Sequence, residues 1–459
     1  MLTAIDRLAR FAAGIRFDDA PAEIREAVRK SVFDSLAVGL CGAATPELER
    51  LVAAWPLAGG AARLWGTAVT GDVAGATLLN GAALCSLELD EGNKFARGHP
   101  GAHVLPAVLA EAQRIGASGR RLLDAYLAGY EVAARFARAF SPAAGLHPHG
   151  NWGAMGAAVA VARLNASDKG SDRGDGDARA LAEAIDAAGG LALASPFSSA
   201  LTGSFVRNMW VGTAGVNGLT AARLVAAGLG TVDATPAETF GRLLGTIDAG
   251  ALVEELGERF EIVGGYYKRH SSCNYTHPPA DAALLLFAQG VRIADVERVT
   301  VTTHRLALPL DNPAPRTRLA AMFSIPHVIA VALRDGKVEP AGFSPAALAD
   351  PDLDQARRRV VVRGDATIDA RLPHERVACV EVELRDGRTV AAEVPNAVGD
   401  AAHHPFSFDG LVAKAAALLG ADRARALAAA VEALPLSLDL SALDACLSRP
   451  LAADAGDRP

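Results

Sequence analysis

Apolar residues recur at the spacing of an α-helix along most of the first 265 residues. Segment 118–140 places Leu122, Tyr126 and Tyr130 near one helical face, and segment 21–43 has the same character. Strand-like alternation is missing from this part, and so is a glycine fingerprint for a dinucleotide. The pattern therefore predicts successive helices rather than a Rossmann-type sheet.

Two local signals refine this part of the chain. Thr235, Pro236 and Glu238 have the spacing of a capping box, which predicts that a helix begins after an N-cap at Thr235. Segment 167–180 is rich in Gly, Asp and Ser and predicts a surface loop.

The pattern changes after about residue 290. Segment 296–308 alternates and is rich in Val and Thr, which predicts a strand. Segment 377–394 consists of two alternating runs joined through Asp386-Gly387, a strong hairpin signal. Segment 324–336 between them is predicted to be helical.

These patterns predict a mainly α protein with a large all-helical domain and a smaller α+β lid domain. We expect residues 1–265 to form the first part of the helical domain and residues 266–402 to form the lid. Residues 403–459 return to helical spacing, so we expect them to rejoin the helical domain.

Composition narrows the possible partners. The net charge of −7 disfavours nucleic acid, and every long apolar run is interrupted too early to span a membrane. Asp6, Arg7 and Arg10 occur where a signal peptide would need apolar residues, and the five cysteines form no C-x-x-C pair. We therefore expect a cytoplasmic protein.

Polar residues are concentrated in four patches, each next to the predicted start of a helix: 87–106, 145–162, 202–222 and 266–286. The candidate site residues in them are Glu88, Asp90, Glu91, Asn93, His99, His103, His147, Arg207, Lys268, Cys273 and His277. Arginine, lysine and helix N-termini bind anionic groups, and histidines or acids move protons next to a carboxylate. Together the patches favour an enzyme that acts on a small carboxylate.

Two alternatives use the same residues. Each patch taken alone is also compatible with an ordinary turn that contains a hydrogen-bonded imidazole. A metal site could use His99 with His103 or His270 with His277, but Pro100 and the following glycine spoil a helical ligand pair. The neighbouring groups are cationic and no H-E-x-x-H occurs, so we expect no metal.

The order of the patches resembles the MmgE/PrpD family. The motifs that carry the resemblance are LELDEG followed by GHPGAHVLPA, then GLHPHGNWGAMGAA, GSFVRNMWVGTAG, KRHSSCNYTHPPADAAL and FSIPHVIAVAL. The resemblance implies a helical domain with an α+β lid, usually a homodimer, that works without a metal or an organic cofactor. Members include 2-methylcitrate dehydratases, cis-aconitate decarboxylases and an iminodisuccinate epimerase.

The resemblance also implies roles for individual residues. His99 and His147 are expected as base and acid, Lys268 and Arg207 as carboxylate anchors, and Asp90 or Glu91 as the group that orients an imidazole. The substrate-binding residues are then Glu88, Asn93, His103, Arg207, Cys273 and His277.

The expected activity is that of a cofactor-independent hydro-lyase of a small di- or tricarboxylate, similar to 2-methylcitrate dehydratase. An epimerase of a dicarboxylate and a cis-aconitate-type decarboxylase remain open. Glu88 stands where the decarboxylases have Asp, Arg207 where Lys is usual, and His327 where Tyr is common. A protein that only binds a carboxylate is the alternative from another functional class.

Overall fold

The computed structural model describes residues 1–166 and 175–451. Most of the predicted loop at 167–180 lies outside these residues. Its last six residues are helical, so the loop prediction is wrong for them.

Helices account for most of the first part of the chain. They are α1 (Leu2–Gly14), α2 (Ala22–Ala43), α3 (Pro46–Ala54), α4 (Val73–Cys85), α5 (Pro100–Ile115), α6 (Gly119–Ala139), α7 (Gly153–Asn165), α8 (Asp175–Gly189), α9 (Ser198–Thr202), α10 (Val206–Ala226) and α11 (Thr235–Glu238). Three short antiparallel pairs connect their ends: β1 (Ala62–Arg63) with β2 (Thr70–Gly71), β3 (Gly92–Asn93) with β6 (Gly265–Tyr266), and β4 (Phe140–Pro142) with β5 (Gly245–Ile247).

The remaining elements follow in chain order: α12 (His277–Ala288), β7 (Val296–Thr303), α13 (Arg318–Met322), α14 (Ile325–Asp335), α15 (Pro345–Ala349), α16 (Pro351–Arg357), β8 (Val360–Gly364), α17 (Ala366–Asp369), β9 (Ala378–Leu384), β10 (Thr389–Val394), α18 (Phe408–Leu419), α19 (Ala421–Ala433) and α20 (Ser441–Leu447). The mainly α prediction is confirmed.

Small residues allow the central helices to pack closely. Helix α7 lies against α5, α6 and α10. A Cβ at Gly156 of α7 would collide with the carbonyl oxygen of Gly129 in α6, and one at Gly218 of α10 would overlap Ala157. Because glycine has no Cβ, these backbones can approach to distances that other residues forbid. The polar patch before α7 is therefore held on a tightly packed base.

The four-stranded sheet has the strand order β10-β9-β7-β8. Strands β9 and β10 form the predicted hairpin, with Gly387 at a φ of 87° that suits glycine in the turn. Alternate residues of β9 are buried, because α12 packs on one face of β9 and β10. The predicted strand 296–308 ends at Thr303, where a short 3₁₀ turn follows, and β8 was not predicted.

The capping-box prediction is wrong. Thr235 is the first residue of α11, and its N-cap is Ala234. The Thr235 hydroxyl donates to the Asp186 carboxylate at 2.8 Å, so it does not cap the helix. The hydroxyl group therefore bonds to a residue that is distant in sequence instead of to the backbone of its own helix.

Helices α18 and α19 pack on α2, where Lys414 donates to Asp34 at 2.8 Å and to the carbonyl oxygen of Leu89 at 3.0 Å. The C-terminal helices thus contact the segment that carries the first polar patch. The division of the chain at residues 265 and 402 stays a prediction. Within the two described ranges, no helix is long and apolar enough to cross a lipid bilayer.

Replacing Lys414 with Met should destabilise the protein. The Asp34 side chain is only 2% exposed, and Lys414→Met leaves its carboxyl buried without a cation. We expect the free energy of unfolding, measured by urea denaturation, to fall by about 3 kcal/mol. Lys337→Met is the matched control, because its pair with Glu339 is exposed, and it should change little. An unchanged midpoint for Lys414→Met would contradict this account.

Candidate active site

The backbone adopts an unusual conformation where the first polar patch begins, just after the end of α4. Glu88 has a φ of 51°, in the left-handed region that residues other than glycine rarely adopt. The side chains of Glu88 and Asp90 are nevertheless buried, at 1% and 0% exposure. Such backbone strain persists only where the surroundings hold it, and here the surroundings are two cations.

The carboxylates of Glu88 and Asp90 and the cations Lys268 and Arg207 form a buried ion cluster. The Lys268 ammonium group donates to Glu88 Oε2 at 3.1 Å and to Asp90 Oδ1 at 2.9 Å. Arg207 forms an ion pair with the other oxygen of the Glu88 carboxylate. Two cations therefore neutralise two carboxylates inside the protein.

The pKa values within the cluster follow from this pairing. Burial alone would lower the pKa of Lys268, but the carboxylates of Asp90 and Glu88 raise it above its ordinary value. Burial likewise opposes ionisation of Asp90, and the positive charges of protonated His99, of Lys268 and of Arg207 outweigh it and lower the pKa of that carboxyl. Lys268 and Asp90 are therefore both charged at neutral pH.

His99 is held through one ring nitrogen. Its Nδ1 lies 2.6 Å from the carbonyl oxygen of Glu91 and 3.1 Å from Asp90 Oδ2. Both partners are acceptors, so Nδ1 carries the proton and Nε2 keeps its lone pair. Burial lowers the pKa of His99 to about 4 although Asp90 opposes this, so the ring is neutral near pH 7.

His147 is held in the opposite tautomer. Its Nδ1 accepts the backbone N–H of His149 at 3.0 Å, so the ring proton is on Nε2. The ring stacks on Phe197 with 5.3 Å between centroids, and its own backbone N–H donates to Ser195 at 2.7 Å. Burial, followed by the nearby charge of Arg207, lowers the pKa of His147 well below its ordinary value.

Both imidazoles line one cavity of about 310 Å³. Its wall combines residues from the helices and loops before residue 266 with residues from segment 296–394, which contains the four-stranded sheet. Phe140, Leu146, Phe197, Leu306 and Pro309 form an apolar portion of the lining. The cavity is therefore charged in one region and apolar in another.

The charged lining is predominantly cationic. Among the described residues that line the cavity, four are arginines and one is a glutamate: Arg97, Arg207, Arg305, Arg376 and Glu88. Asp90 and Lys268 lie directly behind Glu88. This balance suits an anionic ligand.

The structure brings together six of the residues predicted from sequence: Glu88, Asp90, His99, His147, Arg207 and Lys268. Cys273 also lines the cavity, and burial raises the pKa of its thiol to about 11. The thiol therefore remains protonated at neutral pH, which disfavours a nucleophilic role.

The remaining predicted residues direct their polar atoms elsewhere. The Glu91 carboxylate accepts the Gly101 N–H at 2.6 Å, and Asn93 Nδ2 donates to the carbonyl oxygen of Glu261 at 2.7 Å. None of the four residues Glu91, Asn93, His103 and His277 lines the cavity.

The two histidines of this group bind backbone. His103 contacts the carbonyl oxygen of His99 through Nδ1 at 2.8 Å and accepts the Gly150 N–H through Nε2 at 3.3 Å. His277 Nε2 lies 3.1 Å from the carbonyl oxygen of Ser272. Within residues 1–166 and 175–451, no group of three or more His, Cys, Asp or Glu side chains is placed to hold a metal ion.

The sequence-based candidates omit several residues that line the cavity. His149 stands between the rings of His99 and His147, with its ring centroid 5.0 Å from that of His99 and 4.5 Å from that of His147. It lies in the second patch, so proximity to His147 could have identified it. Tyr266 is the first residue of the fourth patch, whereas Arg376 reaches the cavity from a segment without a local signal.

Most of the chain matches two domain models of one known protein family. Residues 6–246 match the MmgE/PrpD N-terminal domain, and residues 270–436 match the MmgE/PrpD C-terminal domain. The chain belongs to the MmgE/PrpD family. His99, His147, Glu88, Asp90 and Arg207 lie within the first match, and Lys268 lies two residues before the second.

Individual members of the MmgE/PrpD family are similar to this chain at low identity. A cis-aconitate decarboxylase of Aspergillus terreus is 24% identical over 94% of this chain and 92% of its own length. A 2-methylcitrate dehydratase of Salmonella typhimurium is 30% identical over 25% of this chain and 26% of its own length. The homodimer and the cytoplasmic location stay predictions.

Glu91 should make the stability of this MmgE/PrpD protein depend on pH. Burial raises the pKa of its carboxyl from 4.5 to about 8. The folded state then binds this proton more tightly than the unfolded chain, so stability falls as pH rises from about 4.5 to 8. Glu91→Gln should lessen that fall in urea titrations at several pH values. Identical pH profiles for the variant and the parent would contradict the assignment.

Proposed function

We propose that this protein is a cofactor-independent hydro-lyase of a small di- or tricarboxylate, with dehydration of the 2-methylcitrate type as its reaction. The observation that carries the proposal is the presence of two neutral imidazoles in opposite tautomers on one cationic cavity. One offers a lone pair and the other offers an N–H group. Elimination next to a carboxylate requires both functions.

His99 is the base. Its Nε2 lone pair takes a proton from the carbon next to a substrate carboxylate, and the electrons of that C–H bond move onto the carboxylate. The imidazolium that forms is stabilised by Asp90 Oδ2, which lies 3.1 Å from Nδ1. Asp90 thus orients the ring and favours the proton transfer.

His147 acts as a hydrogen-bond donor. Complete loss of its Nε2 proton would leave an imidazolate, because Nδ1 accepts a hydrogen bond and carries no proton. We therefore assign it to stabilising the negative charge that develops on oxygen, in place of the general-acid role expected from sequence. The proton held by His99 then passes to the departing hydroxide, so water and a C=C bond are the products and His99 is regenerated.

Two other reactions are alternatives in the same cavity. The first of them begins with the same abstraction of a proton by His99. A substrate without a leaving group would be reprotonated on its other face, which gives an epimerase. The long similarity to a cis-aconitate decarboxylase supports loss of carbon dioxide as a second candidate. The products of the three reactions differ.

Proton NMR in D₂O tests the proposal. The purified protein is incubated with citrate, 2-methylcitrate, cis-aconitate, malate and iminodisuccinate in turn. Loss of one α-proton together with a new alkene signal supports the hydro-lyase. Deuterium incorporation without an alkene supports the epimerase, and a decarboxylated product supports the decarboxylase. No change with any of these acids would overturn the proposed substrate class.

Substitutions at the two histidines should separate their roles. His99→Gln should abolish both deuterium exchange and turnover, because removing a general base costs on the order of 10²- to 10⁴-fold. His147→Leu should lower kcat by on the order of 10²-fold, the cost of one donor to a developing oxyanion. His147→Gln should retain more activity than His147→Leu, because an amide can still donate.

Kinetics and circular dichroism of the three variants provide the check. If His147→Gln and His147→Leu were equally inactive while still folded, His147 would be a proton donor rather than a hydrogen-bond donor. If His99→Gln kept more than about a tenth of the parental kcat, a loss below ~1.4 kcal/mol, His99 would not be the base.

A further inference from the structure

We propose that Arg376 forms a second carboxylate subsite, which binds a substrate carboxylate that takes no part in the bond changes. The proposal rests on the proposed function, because it identifies how the same cavity selects a polycarboxylate over a monocarboxylate. The residue comes from the segment that carries the sheet and was not a candidate from sequence.

Arg376 is a buried cation that faces the cavity. It is 6% exposed and lines the cavity wall. Its guanidinium group lies over the rings of Tyr266 and Tyr275, 5.8 and 5.3 Å from their centroids. One hydrogen bond, from a terminal nitrogen to the carbonyl oxygen of Lys94 at 3.1 Å, uses part of its donor capacity.

The other cations at the cavity are either paired with carboxylates or exposed to solvent, and Arg97 is one of the exposed ones. Lys268 and Arg207 are paired with Glu88 and Asp90 inside the protein. Arg305 is exposed and lies 3.8 Å from an Asp369 carboxylate oxygen.

Arg376 has no carboxylate partner within 4.0 Å among residues 1–166 and 175–451. An unpaired buried charge is costly to keep, so its retention at a cavity wall points to an anionic ligand that completes the pair.

Arg376 is also held in place. The backbone of Lys94 accepts its hydrogen bond, and the Lys94 ammonium group donates to the carbonyl oxygen of His374 at 2.9 Å and to Asp400 at 2.8 Å. This network ties the loop before β9 to the first polar patch. A planar guanidinium that is fixed in this way can bind a carboxylate through two parallel hydrogen bonds.

The subsite can be tested with tricarballylate, a tricarboxylate without a hydroxyl group and therefore without a leaving group. Its dissociation constant is measured by isothermal titration calorimetry for the parent, Arg376→Met and Arg376→Lys. We expect at least tenfold weaker binding for Arg376→Met and a smaller loss for Arg376→Lys. Arg385→Met removes an exposed arginine from the same segment and should bind like the parent.

Thermal unfolding without ligand separates binding from folding. Because Arg376→Met removes an uncompensated buried charge, its Tm should equal or exceed that of the parent. Equal affinity of Arg376→Met and the parent, or no binding of tricarballylate by the parent, would overturn the subsite. A Tm that falls together with the affinity would assign Arg376 a purely structural role.

The binding test of the subsite and the NMR test of the hydro-lyase can fail separately. If tricarballylate binding depends on Arg376 but no test acid exchanges deuterium, the subsite stands and the hydro-lyase fails. If a test acid loses an α-proton and gains an alkene signal, and Arg376→Met binds and reacts like the parent, the hydro-lyase stands and the subsite fails.

Discussion

The buried contact of Lys268 with Glu88 and Asp90 is the interaction on which the site depends. It joins the polar segment after α4 to the segment before α12, and Lys268 lies 3.1 and 2.9 Å from the two carboxylates. Removing one member would leave an unpaired charge inside the protein, which is strongly destabilising. The same contact places Asp90 behind His99, so charge balance and imidazole orientation have one origin.

Much of the fold follows from patterns of short range. Helical periodicity predicts α6, and an Asp-Gly pair between alternating runs predicts the hairpin of β9 and β10. The prediction fails where a distant residue competes with a local one. Thr235 has the sequence of an N-cap, but the carboxylate of Asp186 takes its hydroxyl group.

The site was predictable as a set of patches but only in part as a set of contacts. Glu88 and Lys268 were expected at one site, and the structure pairs them. His103 and His277 lie in the same patches, yet their ring nitrogens bind backbone groups, which neighbouring sequence does not reveal. Arg376 was missed because its position depends on tertiary packing against the first patch.

The central claim is that burial and fixed partners hold His99 and His147 neutral in opposite tautomers. Neutron diffraction from perdeuterated crystals at neutral pH would locate the ring deuterons directly. The account predicts a deuteron on Nδ1 of His99, opposite the Glu91 carbonyl oxygen and Asp90, and one on Nε2 of His147. A doubly deuterated His99, or the reverse tautomer at either ring, would contradict it.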